Sequence, residues 1–152
     1  MCSNLVIVVD LVNVMMTNKT GKKGKLSYYQ LMKEKLDELF LGNEIYYIAD
    51  ASGRHRVDDK DEFERLCQQD WIIQTPAGED GDYYMLQFAQ NKANCIVISR
   101  DQFKNYNLDD RMKQRVIPFS IIGEEVIFSK KMNKFKKKKP AGKLVHSLPS
   151  CV

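Results

Sequence analysis

At 152 residues the chain is long enough for one domain that buries roughly two thirds of its unfolded surface. Its four cysteines (Cys2, Cys67, Cys95, Cys151) are scattered, with no Cys-x-x-Cys pair and no histidines at zinc spacing, which argues against a disulfide framework or a zinc site. The formal net charge of +4 is unevenly placed: eight lysines and no acid follow Ser129, leaving 16 basic against 20 acidic residues in the first 128.

The run Leu5-Val6-Ile7-Val8-Val9 is apolar without alternation and ends on Asp10, with Asn13 three residues on. Such a run suits a strand buried on both faces, the centre of a parallel sheet. Asp10 then lies at the carboxyl edge of the sheet, where ligand crevices form in α/β folds. The run is too short for a signal peptide and lacks a basic flank, and no stretch approaches membrane-span length, so a reduced, cytoplasmic protein with no membrane partner is expected.

Thr17–Lys25 reads as a polar loop with two glycines and four lysines, Lys22 and Lys23 among them, forming a basic rim beside Asp10. Ser27 is the expected N-cap of a helix carrying Leu31, Leu36, Leu39 and Phe40, closed by Gly42. A second strand, Ile45–Ala49, again ends on an acid, Asp50, and leads into a loop bearing Arg54, His55 and Arg56. These cations would face a phosphodiester entering the site. Asp58 and Asp59 are expected to open the next helix, where acids suit the positive end of the helix dipole. Trp71–Thr75 reads as a short strand, and a turn with Glu79, Asp80 and Asp82 precedes a third helix. Asp82 is placed as its N-cap, a purely structural role that Ser or Thr would fill equally well.

Cys95–Arg100 is a further strand and runs into Asp101, the third acid delivered to one sheet edge. Residues 115–122 read as a late strand with a hairpin extension through Phe128. The alternation predicts a mixed α/β domain over 1–128 with a central, mostly parallel sheet. The lysine-rich remainder, 129–152, is expected to be a disordered basic tail whose Lys136, Lys137, Lys138 and Lys139 contact the phosphates of a polyanion such as a nucleic acid.

Only two histidines are present, one in the tail, so paired-histidine or Ser-His-Asp catalysis is disfavoured. Clustered carboxylates at a sheet edge repel one another and are reconciled by one or two hard cations, Mg²⁺ or Mn²⁺. A metal held this way generates hydroxide and steadies a phosphoryl centre, the chemistry that cuts phosphodiesters.

The ordered set of an apolar strand with Asp10-x-x-Asn13, a crossover helix, Thr75-Pro76-Ala77-Gly78 leading to Asp82, and Ile96-Val97-Ile98-Ser99-Arg100-Asp101-Gln102-Phe103 resembles the NYN branch of the PIN-like nucleases. Within that branch it is similar to the ribonuclease domain of the Regnase group, over about residues 5 to 122. The resemblance implies a PIN-like three-layer α/β/α sandwich and a Mg²⁺-dependent endoribonuclease acting on single-stranded or stem-loop RNA. It also implies that Asp10 is the first metal-binding acid and Asn13 its supporting amide, with Asp82 and Asp101 as further metal acids, Asp80 as a substitute ligand, and Ser99 and Asn105 in support. Homo-oligomers occur among PIN-like proteins and are allowed for here.

The chain departs from the family pattern at Leu11-Val12, where Gly-Ser is usual, at Gly81, where a second acid opens the helix, and at Asn105, where an acid is usual. These departures leave open a second expectation, a catalytically quiet RNA-binding module on the same fold. A nuclease directed at DNA is a third, since nothing in the sequence reads a 2′-hydroxyl.

Overall fold

The computed structural model describes residues 4–18 and 21–136. Among them no helix is long and apolar enough to cross a membrane. The first apolar run forms strand β1, Val6–Asp10, and the chain turns at once into a short helix, α1, Leu11–Met15. A longer helix, α2, Ser27–Leu39, returns to the other end of the sheet and feeds β2, Glu44–Ala49. Next come a one-turn helix α3, Gly53–Arg56, then α4, Lys60–Gln68, β3, Ile73–Gln74, and α5, Gly81–Gln90. Strand β4, Cys95–Ile98, leads through a 3-10 turn at Lys104–Tyr106 into α6, Asp110–Arg115, and β5, Val116–Ile117.

Five parallel strands pair in the order β3-β2-β1-β4-β5, with β1 in the middle. The mixed α/β architecture, an all-parallel sheet between helices, is the expected PIN-like sandwich. Alternating side chains of β1 serve different faces: Ile7 and Val9 pack with Tyr29, Met32 and Leu36 of α2, and Val8 packs with Met85, Leu86 and Ala89 of α5. An unalternating apolar sequence is what such a strand requires, and each of these buried aliphatic side chains stabilises the fold by roughly 1.5–3 kcal/mol.

Local structure differs from expectation at four places, each for a physical reason. The late strand is broken at Pro118, which has no N–H for a ladder. Val116–Ile117 joins the main sheet, while β6, Phe119–Ile122, pairs antiparallel with β7, Glu125–Phe128, as a separate ribbon. Ser27 is the first helical residue of α2 rather than its cap; Leu26 precedes it, and the Leu26 N–H donates to the Asp58 carboxylate at 2.9 Å. Asp58 is therefore spent on α2, and Asp59 alone caps α4, accepting from Glu62 N. Finally, the chain does not leave the domain at Phe128. Lys130–Lys134 forms a 3-10 turn capped by Ser129, Met132 is fully buried, and Phe135 packs on the core. Lys136 is exposed; Lys137, Lys138 and Lys139 lie outside the described residues.

Candidate active site

The strand order reverses between β1 and β4: from β1 the chain builds outward to one side, then crosses to β4 on the other. Ligands of open α/β sheets bind at such a switch point, outside the carboxyl ends of the strands. Asp10 ends β1 there and is only 7% exposed. Ser99, the residue after β4, donates its hydroxyl to Asp10 Oδ2 at 2.8 Å, and Ser99 Oγ itself accepts from the Asp101 N–H at 3.0 Å. Asn13, one turn into α1, accepts from the Arg100 N–H at 2.8 Å. Asp101 in turn accepts from Phe103 N at 2.8 Å. These bonds sew the end of β1 to the exit of β4, so that Asn13 holds the β4 loop and Ser99 holds Asp10.

The third acid arrives on α5. Its N-cap is Asp80, not Asp82, because the backbone is extended at Asp80 and turns helical at Gly81; the Asp80 carboxylate accepts from Asp82 N at 3.0 Å. Capping duty thus falls on Asp80, whose other oxygen accepts from the Tyr106 hydroxyl. Asp82 is left half-buried with Asp80, Asp101 and Asp50 as its charged neighbours. Gly81 is tightly placed: a Cβ there would stand 3.1 Å from Asp50 Cβ. Space that a side chain at 81 would need is taken by an acid from the end of β2.

The electrostatics follow from this crowding. Burial, opposed by the Ser99 hydroxyl and the Asn13 backbone and reinforced by the charges of Asp82 and Asp101, pushes Asp10 up to about 7. Burial, with Asp80, Asp101 and Asp50 beside it, pushes Asp82 up to about 6. No salt bridge among the described residues reaches any of these acids. Nor do three ligating side chains among them stand close enough to enclose a metal ion by themselves. An all-carboxylate donor set still fits a hard divalent cation held by one or two acids with water completing its shell, the usual habit of Mg²⁺.

Two basic segments flank this edge. Gly24 pairs with Val57 in an isolated parallel bridge, its N–H donating to Arg56 O at 2.7 Å, and Lys23 Nζ donates to His55 O at 3.2 Å. The loop of Lys22 and Lys23 and the helix of Arg54 and Arg56 are thereby joined into one exposed basic surface. The bridge needs glycine, since a Cβ at 24 would meet Met15 O at 2.7 Å. Asn105 is exposed on the 3-10 turn and makes no hydrogen bond to the acids among the described residues.

The family described as the Zc3h12a-like ribonuclease NYN domain matches residues 3–141. The chain belongs to this family. No curated protein matches it significantly. Membership makes the domain a ribonuclease type, with RNA as the substrate the family acts on, and it bears out the resemblance to the Regnase-group NYN domain. Two residues that touch the acid cluster of this NYN domain, Asp50 and Tyr106, are not among the sequence candidates. Asp50 was visible as a strand-end acid, but its contact with Gly81 depends on the pairing of distant elements. Tyr106 gives no local signal, because its partner Asp80 lies 26 residues away.

Proposed function

We propose that this NYN domain is a Mg²⁺- or Mn²⁺-dependent endoribonuclease that hydrolyses phosphodiester bonds in single-stranded or stem-loop RNA. The observation that carries the reading is the convergence of Asp10, Asp82 and Asp101 on the switch point, with no salt-bridge partner among the described residues and with burial and mutual charge raising Asp10 and Asp82 above the ordinary carboxylate range. One or two of Asp10, Asp82 and Asp101 would hold the metal directly, with water completing its shell and bridging to the rest; Asp80 is engaged by Asp82 N and Tyr106, so it supports α5 rather than serving as first choice of ligand. When bound, a divalent cation at this edge supplies hydroxide at neutral pH and offsets charge on the phosphoryl group. The chain's own residues do the rest. Ser99 fixes the Asp10 carboxylate, Asn13 fixes the loop carrying Asp101, and Lys22, Lys23, Arg54 and Arg56 position the RNA backbone through phosphate contacts.

A second reading, an RNA-binding module without cleavage, is favoured by one observation: no ready-made three-acid cage exists among the described residues. Cleavage of single-stranded RNA, hairpin RNA and single-stranded DNA, each with Mg²⁺, Mn²⁺ or EDTA, separates the readings. RNA cut only with a divalent cation is the expected result. RNA bound but never cut would replace the nuclease by the binding module, and equal cutting of DNA would remove the RNA preference.

A further inference from the structure

Beside the acids, on the α6 side, lies a cavity of about 440 Å³ that begins at Asp101 and Gln102. Its apolar lining comes from Phe103, Leu108, Val116 and Pro118; the first three are buried in the fold and Pro118 is half-exposed. Lysines stand around it. Lys131 reaches in from the last 3-10 turn and donates to Lys113 O at 3.0 Å and Val116 O at 3.4 Å, so it is spent on closing the wall. Lys104 and Lys113 line the same cavity, are exposed, and form no salt bridge with any acid among the described residues. Gln102 and Asn107 add two primary amides without a hydrogen-bond partner among the described residues.

The chemistry of this lining is that of a nucleotide site. Its volume falls within the range of small-molecule pockets, about 300–1,000 Å³, and an apolar floor with a few polar groups is the usual composition of such pockets. Unstacked bases of single-stranded RNA are held on apolar and aromatic surfaces and read at their edges by donor–acceptor groups, which the Gln102 and Asn107 amides supply. Two unpaired lysines at the rim suit the attached phosphate. The loop is also held in an unusual form: Phe103 and Asn107, at φ 51° each, bracket the Lys104–Tyr106 turn in the left-handed region. Non-glycine residues held there are strained and cluster at ligand clamps.

We infer that this cavity is a nucleotide subsite that receives one base of the RNA strand next to the scissile position, with the adjoining phosphate on Lys104 and Lys113. Asp101 belongs to both the acid cluster and the cavity mouth, so a nucleotide seated here is contiguous with the cutting site. The inference rests on the nuclease reading for the identity of its ligand, not for the existence of the cavity.

The test is the Lys104→Gln/Lys113→Gln protein, with Lys104→Arg/Lys113→Arg as rescue. KM and kcat are measured on a single-stranded oligoribonucleotide, and affinity for the same oligonucleotide is read by fluorescence anisotropy in EDTA. Tenfold higher KM with kcat within twofold, restored by arginine, is the expected result. Unchanged KM in a protein that still cuts RNA would overturn the subsite and leave the nuclease reading intact. Wild type that cuts nothing, yet loses tenfold affinity in the Gln variant, would sink the nuclease reading and support the subsite. Amide NMR adds a second arm: 5′-AMP is expected to shift Phe103–Leu108 and Val116, and inorganic phosphate giving the same shifts at equal concentration would show an anion site with no base recognition, overturning the proposal.

Discussion

Ser99 donates its hydroxyl to Asp10 across 89 residues of sequence, at the place where the strand order of the parallel sheet reverses. That bond lowers the Asp10 pKa against the pull of burial. Ser99→Ala should therefore raise the Asp10 pKa further. Cleavage at pH 7 is expected to fall several-fold and to recover toward pH 8 to 9, because the carboxylate is then regained. Loss of a buried hydrogen bond should cost about 1–2 kcal/mol in a denaturant melt. An unshifted acidic limb of the pH–rate profile would remove Ser99 from the chemistry.

Removing charge from the cluster should separate stability from function. Asp82→Asn is expected to leave the metal-free protein equally stable or slightly more stable, since Asp82 neighbours Asp80, Asp101 and Asp50. Cleavage by Asp10→Asn, Asp82→Asn and Asp101→Asn should fall by at least 100-fold. Thermal melts with EDTA and with Mg²⁺ decide it: wild type gaining nothing from cation while every variant keeps cleaving would eliminate the metallonuclease.

The same crowding fixes a pH dependence. Asp10 titrates near 3.8 in an unfolded chain and near 7 in the fold, so the folded state binds more protons between those values. Its contribution is full below pH 4 and is lost as pH rises through 7. In EDTA, stability should decline over that window relative to an Asp10→Asn protein, and Mg²⁺ should flatten the difference near pH 7. Parallel profiles for the two proteins would mean that Asp10 is not protonated in the fold.

The joined basic surface should act on binding. Replacing Lys22, Lys23, Arg54 and Arg56 with glutamine is expected to raise KM for RNA tenfold or more with little change in kcat. The log–log salt slope of binding should fall by roughly 2 to 3, since each cation lost removes one counterion-release contact. A collapsed kcat with intact affinity would put one of these cations at the scissile phosphate instead.

The end of the chain divides into two experiments. Truncation after Phe128 removes Met132, which is fully buried, and Phe135, so it should destabilise the domain; Met132→Ala alone should cost about 2–5 kcal/mol. Deleting 137–152 removes four further lysines, Lys137, Lys138, Lys139 and Lys143, and should lower the salt slope of RNA binding by roughly 1 to 3. A slope unchanged by that deletion would assign those lysines no role on RNA.

Most of the sheet could be read from the chain because one residue type has one use there. Val6–Val9 has no polar alternation, so it can only be a strand covered on both sides, and the acid after it must lie at the edge. Helix entry was harder: whether Asp80 or Asp82 caps α5 depends on which backbone is extended, and both carry the same carboxylate. Met132 and Phe135 were hidden by the lysines around them, although their spacing of three puts both on one side of a 3-10 turn. Contacts such as Tyr106 with Asp80, or Gly81 against Asp50, exist only after distant elements pack, and no local pattern encodes them.

The pairing of β1 with both β2 and β4 also sets when the site can come into being. During synthesis β1 emerges early and finds β2 after two helices, but its other neighbour is made some 85 residues later. Long-range parallel pairing closes slowly, because a large loop must be ordered first. Until Ser99 arrives, Asp10 has no hydroxyl to orient it and no loop bearing Asp101 beside it. A chain made only as far as β3 therefore carries the first acid of the candidate site without the rest, and the site is assembled only when β4 docks beside β1.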